Sequence, residues 1–140
     1  MENLGFLSWK RVFSQGEAQA LLPVIIRITG RAQKEIQHLS NLLPASRTPS
    51  SAQYEVIQQR IETLLGQWQD HIRRLGAEPK GFWNVDFDNG EGYFCWKFPE
   101  SEIRFCHGYQ DGFPGRVEIG CSKNCEHSKS DPHTESLAQS

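Results

Sequence analysis

The sequence predicts an α+β fold in which a long antiparallel hairpin of two helices packs against a small antiparallel β-meander. Apolar residues recur at steps of three and four along two long stretches in the first half of the chain. After Pro79 they give way to short runs of aromatic and β-branched residues, separated by turn residues such as Asn89-Gly90. From Gly120 onward Leu137 is the only large aliphatic residue, which predicts a disordered tail.

The chain has 140 residues and a formal net charge of -2. This length suits one domain, predicted over residues 1–120, with the tail at 121–140. The longest nearly apolar run, Ala20 to Ile26, is too short for a membrane span, and no signal-peptide pattern opens the chain. We therefore expect a cytoplasmic protein without membrane contact, and the lack of basic excess argues against nucleic acid as a partner.

The first helix is predicted over about residues 15–43. Ser14 and Glu17 have the spacing of a capping box, in which each side chain bonds the other residue's backbone amide. The apolar stripe behind it consists of Ala18, Leu21, Ile25, Ile28, Ala32, Ile36, Leu39 and Leu43. Pro23 lies inside this stretch, so the alternative is a helix that starts only near Pro23.

The second helix is predicted over about residues 51–75. Its stripe consists of Tyr54, Ile57, Ile61, Leu64, Trp68, Ile72 and Leu75. Gly76 follows as the left-handed residue that commonly closes a helix. Two long helices joined by a short loop lie antiparallel and bury their stripes against each other. Leu22, Ile26 and Val56 fall off these stripes and are candidates for a contact with a second copy of the chain.

The sheet is predicted over about residues 81–119. Its runs are Gly81 to Asp88, Gly92 to Phe98 and Glu102 to Tyr109, with a short last strand at Arg116 to Ile119. Within the third run Ile103, Phe105 and His107 share one face by alternation, and we expect the first two to face the core.

The candidate functional residues are a polar cluster on this sheet. His107 at the edge of an apolar row can act as a general base or a metal ligand, or can bond an acid for purely structural reasons. Arg116 follows a turn-rich stretch and can clamp a carboxylate or phosphate, or form an internal salt bridge to Glu100 or Asp86.

Four cysteines complete the inventory. Cys95 and Cys106 lie in strand-like runs and are interpreted as small core residues, and all four are expected to be reduced in the cytoplasm. Cys121, Cys125 and His127 in the tail have the residue types of a zinc site, although their spacing is not that of a zinc knuckle.

The motifs resemble those of the bacterial family called domain of unknown function 2203. The matching motifs are Glu17-Ala18, Leu21-Leu22-Pro23, Gly76 to Lys80, Asp86-Phe87, Cys95-Trp96, Glu100, His107 and Gly115-Arg116. Pro99 stands where the family has Gly, and Cys106 replaces a Trp beside His107, which is expected to alter the shape of a site there. The resemblance implies a bacterial cytoplasmic domain whose distinctive residues are Asp86, Trp96, Glu100, His107 and Arg116.

Three functions fit these residues. The first is a non-enzymatic ligand- or partner-binding module that dimerises through its long helices. The helical half, residues 1–76, carries a charge of +3 and residues 77–120 carry -4. This difference either assists contacts between unlike ends of two copies or is ordinary surface variation. The second is a metal-dependent hydrolase in which His107 and Glu100 or Asp86 bind a divalent metal or act as base. The third is an adaptor stabilised by zinc in the Cys121, Cys125 and His127 tail.

Overall fold

A computed structural model describes residues 11–43 and 51–119 of the chain. Two helices, α1 and α2, come first and are followed by five strands, β1 to β5. Their bounds are α1 Gln15–Asn41, α2 Ser51–Arg74, β1 Glu78–Lys80, β2 Asn84–Asp88, β3 Tyr93–Lys97, β4 Phe105–His107 and β5 Val117–Glu118. The described strands form one antiparallel sheet whose spatial order follows the chain. The predicted α+β class is confirmed, and the predicted tail lies outside the described residues.

Helix α1 begins where the capping box predicts. The Ser14 side chain accepts a hydrogen bond from the Glu17 amide, and the Glu17 carboxylate accepts one from the Ser14 amide, both at 3.0 Å. The helix runs through Pro23 without a break in its assignment. The alternative of a helix that starts only near Pro23 is therefore wrong.

Helix α2 ends in a Schellman motif around Gly76, whose φ of 97° lies in the left-handed region. The Gly76 amide donates to the Arg73 carbonyl at 2.9 Å, and the Ala77 amide donates to the Ile72 carbonyl at 3.2 Å. The turn directs the chain straight into β1. This strand was not predicted, because Pro79 and the flanking glycines obscure it.

The two helices pack against each other and against one face of the sheet. At their contact the indole N–H of Trp68 donates to the buried Thr29 hydroxyl at 2.8 Å. Leu22 is fully buried, so the prediction that it faces a second copy is wrong. Ile26 is partly buried against the core, and its contact with a second copy stays a prediction. Val56, by contrast, is 67% exposed. In the described part of the chain neither helix combines the length and apolar character that a membrane crossing requires.

Alternation along the strands gives the sheet two faces. The inner face, which packs on the helices, is formed by Val85, Phe87 and Trp96, together with Phe94. The outer face is formed by Asp86, Cys95, Phe105 and His107, which alternate with the inner residues. Phe105 therefore lies on the outer face with His107, and its predicted place in the core is wrong. Ile103 is buried in the core, but it precedes β4 and does not belong to that strand.

Candidate functional site

The outer face carries three ionisable side chains that are almost completely buried. Asp86 on β2 lies directly opposite Cys95 on β3. His107 on β4 lies opposite Tyr93, which is two residues before Cys95 on β3. Asp86, Cys95 and His107 are only 4%, 1% and 3% exposed. One ligand atom from each lies within 4.8 Å of the others. Three adjacent strands thus hold a carboxylate, a thiol and an imidazole at one point.

The orientation of the His107 ring is fixed by its two nitrogens. Nδ1 lies 2.9 Å from the carbonyl oxygen of Gly108, which can only accept, so Nδ1 carries a proton. Nε2 is 3.3 Å from Asp86 Oδ1. The ring is therefore anchored to the backbone at one nitrogen and directed at the buried carboxylate with the other.

These contacts change the titration of His107. Burial lowers the pKa of the imidazole, but the hydrogen bonds to Asp86, Cys95 and the Gly108 carbonyl, with the charge of Asp86, outweigh it and raise the pKa to about 10. At neutral pH this raised pKa keeps His107 as an imidazolium, which pairs with the Asp86 carboxylate.

Gly92, just before β3, makes room for β4. A side chain at Gly92 would place its Cβ 2.6 Å from the His107 carbonyl oxygen and 3.1 Å from the Gly108 Cα. Since that approach is shorter than van der Waals contact with backbone, Gly92 allows β4 to close on the β2–β3 hairpin. The requirement is not visible in the sequence, where Gly92 is one of several turn glycines.

A second polar pair borders the three buried groups. Arg116 donates to both carboxylate oxygens of Glu100, at 2.7 and 3.2 Å, and the Lys97 amide donates to the same carboxylate at 2.9 Å. The guanidinium lies 4.0 Å from the centre of the Phe105 ring, and Phe105 is the cross-strand neighbour of Cys95. Burial opposes the charge of Arg116, but hydrogen bonds to Glu100 and Cys95 and the Glu100 charge raise its pKa further. Of the two alternatives for Arg116, the salt bridge forms.

Two tyrosines and an aspartate continue the outer face toward solvent. The Tyr109 hydroxyl donates to Asp88 Oδ1 at 2.7 Å, and this hydrogen bond is the main cause that raises the pKa of Tyr109 to about 12. The Tyr93 ring lies between them and the buried groups, 5.2 Å from the Tyr109 ring and 5.5 Å from the His107 ring.

Comparison with known proteins places the chain in a family. Residues 11–119 match the family described as "Uncharacterized conserved protein (DUF2203)". The chain belongs to the DUF2203 family. No curated protein and no solved structure matches it. Every outer-face residue of this DUF2203 chain lies inside the matched range. Cys106, which takes the place of a Trp in the resemblance, lies opposite Phe94, on the face away from His107, so its small side chain does not reshape the buried group.

The structure brings some of the predicted residues together and separates others. Asp86 and His107 are in contact, and Glu100 and Arg116 form the neighbouring pair. Trp96 lies on the inner face, where its indole N–H donates to the Glu100 carbonyl at 2.7 Å and so fixes the turn that carries the Glu100 side chain. The predicted zinc ligands Cys121, Cys125 and His127 lie outside the described residues.

Cys95 is a candidate site residue that the sequence interpretation assigned to the core. Its apolar neighbours indicated a core position, whereas it is a buried free thiol in contact range of Asp86 and His107. The available signal was its pairing with Asp86 across the Asn89-Gly90 hairpin.

Cys106 is disulfide-bonded, so the expectation that all four cysteines are reduced is wrong at this position.

Proposed function

We propose that this DUF2203 chain is a non-enzymatic binding module that works as a homodimer and holds its ligand at the outer face of the sheet. The observation that carries the proposal is the burial of Asp86, Cys95 and His107 on the face that does not pack on the helices. Burying ionisable groups costs free energy, whereas the inner face of the same strands is apolar. Buried ionisable groups that converge around a histidine with a raised pKa are typical of functional sites.

A binding role is favoured over hydrolysis by the position of Glu100. A metal-dependent hydrolase that uses Glu100 with His107 needs a carboxylate free to take a proton from water. Glu100 instead accepts hydrogen bonds from Arg116 and the Lys97 amide, and His107 pairs with Asp86. The carboxylate is therefore engaged in holding the neighbouring loop.

The homodimer part of the proposal is supported by the loop end of the helical hairpin. Leu42, Tyr54 and Val56 are 53%, 44% and 67% exposed there. Together with Leu43 and Ile57 they line an apolar hollow of about 390 Å³. Exposed apolar surface of this kind is typical of interaction sites. A dimer through the helices has a mass of about 32 kDa, twice the 16.0 kDa of the chain.

A bacterial, cytoplasmic setting is also part of the proposal. The free thiol of Cys95 supports it, whereas the disulfide at Cys106 argues for a more oxidising compartment. Alkylation in denaturant directly after lysis, followed by mass spectrometry, decides between the two compartments. Cys106 is buried in the folded protein, so only the unfolded chain exposes it, and a reduced Cys106 then takes up the alkylating agent.

Native mass spectrometry of untagged protein, purified without chelators, tests the binding function. We expect a dimer in which each chain carries one non-covalent ligand, and the same dimer without it in the Asp86→Asn variant. Bare wild-type chains would overturn the binding role, and so would a ligand that Asp86→Asn retains in full. A strict monomer would overturn the dimer alone.

A further inference from the structure

We propose that the ligand of the outer face is one zinc ion, bound by a carboxylate oxygen of Asp86, the thiolate of Cys95 and Nε2 of His107. This inference rests on the proposed function and names its ligand. Carboxylate, thiolate and imidazole are the three ligand types that zinc takes in proteins, whereas Mg²⁺ and Ca²⁺ prefer oxygen alone.

The distances suit a tetrahedral ion. Zinc bonds of about 2.0–2.3 Å place neighbouring ligand atoms roughly 3.3–3.8 Å apart. The three ligand atoms already lie within 4.8 Å of one another, and Asp86 Oδ1 is 3.3 Å from Nε2. Side-chain rotations that move the ligand atoms by about 1 Å therefore complete the coordination. The pairing of β2, β3 and β4 holds the three residues on neighbouring strands of one face.

The surroundings of His107 are those of a metal ligand. A ligating histidine almost always donates its second ring N–H to a carbonyl or carboxylate, which fixes the tautomer and points the other nitrogen at the metal. His107 makes this bond to Gly108 at 2.9 Å. A catalytic Cys-His-Asp triad would instead put the thiol and the carboxylate on opposite nitrogens, whereas here the carboxylate meets Nε2 and the carbonyl occupies Nδ1.

The charges balance when the ion is bound. The Asp86 carboxylate and the Cys95 thiolate together supply two negative charges, which neutralise one Zn²⁺ in a buried place. The charge of the neighbouring Arg116 is already balanced by Glu100 at 2.7 Å. Binding releases two protons, one from His107 Nε2 and one from the Cys95 thiol, so the three buried side chains take up the ion without a change in net charge.

One coordination position is left over. Three protein ligands leave the fourth tetrahedral position to water, as in zinc sites that exchange a ligand. Asn84 lies on the same strand and face as Asp86, two residues before it, and its buried Oδ1 has no hydrogen-bond partner among the described residues.

Metal titration of the full-length protein tests the inference. Protein stripped with EDTA and dialysed is titrated with Zn²⁺ against a chromophoric chelator, and then with Co²⁺. We expect one ion per chain, a thiolate-to-cobalt charge-transfer band and the visible bands of tetrahedral cobalt. Cys95→Ser and His107→Gln should each weaken zinc binding by at least about 100-fold, since loss of outer-shell partners alone costs about 10–100-fold.

Matched variants make the assignment specific. Asp70→Asn removes an exposed acid of α2, and His38→Gln removes an exposed histidine; both should bind zinc as the wild type does. Circular dichroism checks that each variant is folded. The charge-transfer band must vanish in Cys95→Ser even if a weaker site persists, because only a thiolate produces it.

The outcomes separate this inference from the function on which it rests. Zinc binding that survives Cys95→Ser but is lost when Cys121, Cys125 and His127 are all replaced would place the ion in the tail and overturn the inference. A wild type that binds no metal, yet retains an Asp86-dependent organic ligand in native mass spectrometry, would overturn the zinc assignment and leave the binding function standing. A wild type with neither ligand overturns both.

Discussion

Both faces of the sheet contain fully buried side chains, but these side chains are stabilised in different ways. On the inner face Val85, Phe87 and Trp96 are inaccessible to solvent and pack on the helices. On the outer face Asp86 and His107 are also buried, yet each depends on a charged or polar partner. Apolar burial stabilises the inner face at any pH. The outer face depends on protonation and on what it binds, which is the behaviour expected of a site rather than a core.

The largest loss of stability is expected from a substitution on the inner face. Phe87→Ala removes a fully buried ring that packs edge-on against Phe13 at 5.2 Å. We expect the free energy of unfolding to fall by about 3–5 kcal/mol, from lost transfer energy and the cavity left behind. Phe82→Ala is the matched control, because Phe82 is 55% exposed, and it should cost less than about 1 kcal/mol. Urea unfolding measures both, and similar losses would contradict the division into faces.

A smaller loss of stability is expected from a substitution on the outer face. Asp86→Asn keeps the shape of the side chain but removes the charge that pairs with His107. In metal-free protein at pH 7 this should cost about 1.5–3 kcal/mol, the usual contribution of a hydrogen bond to a charged group. Glu102→Gln, at an exposed acid, should leave the urea midpoint unchanged. An Asp86→Asn midpoint equal to that of the wild type would show that the pair contributes nothing to stability.

The pH dependence of stability should belong to the outer face. The pKa of His107 is about 10 in the folded protein against 6.5 in an unfolded chain. The folded state therefore favours the imidazolium, and its contribution is complete below pH 6.5 and declines as the pH rises toward 10. In metal-free protein the urea midpoint should fall over this window, and His107→Gln should remove that fall. If the variant declines as steeply as the wild type, another group is responsible.

The smallest effect is a change in the pKa of Tyr109, which lies at the solvent-exposed end of the outer face. Asp88→Asn removes the charged acceptor that raises the pKa of Tyr109 to about 12, so this pKa should return toward 10. Ultraviolet titration of tyrosinate follows the change, and Tyr109→Phe identifies the residue. Asp70→Asn, on the exposed surface of α2, should leave the titration as it is in the wild type.

Most of the fold could be predicted because its determinants are local. The Ser14 and Glu17 capping box, the Gly76 helix end and the Asn89-Gly90 hairpin each act over a few residues, and the structure contains all three. Strand β1 was missed because Pro79 is uncommon in strands, yet here it pairs opposite Val85.

The candidate site was only partly predictable because it depends on which face each strand presents. Alternation correctly grouped Phe105 with His107, but it could not tell which face meets the helices, so both were assigned to the core side. Cys95 was interpreted as a core residue for the same reason. The contact between Asp86 and His107 needs the register of two strand pairs, and the charged residues alone do not determine it.

The sheet is a meander in which each strand pairs with the next one along the chain, and this has a consequence for folding. The three buried groups of the outer face all lie between Asp86 and His107, so two hairpins suffice to assemble them. Loops this short close at little entropic cost and on the timescale of hairpin formation. We expect the buried group to form early, before the helical hairpin docks, so that a bound ion would speed the folding of the sheet as well as stabilise it.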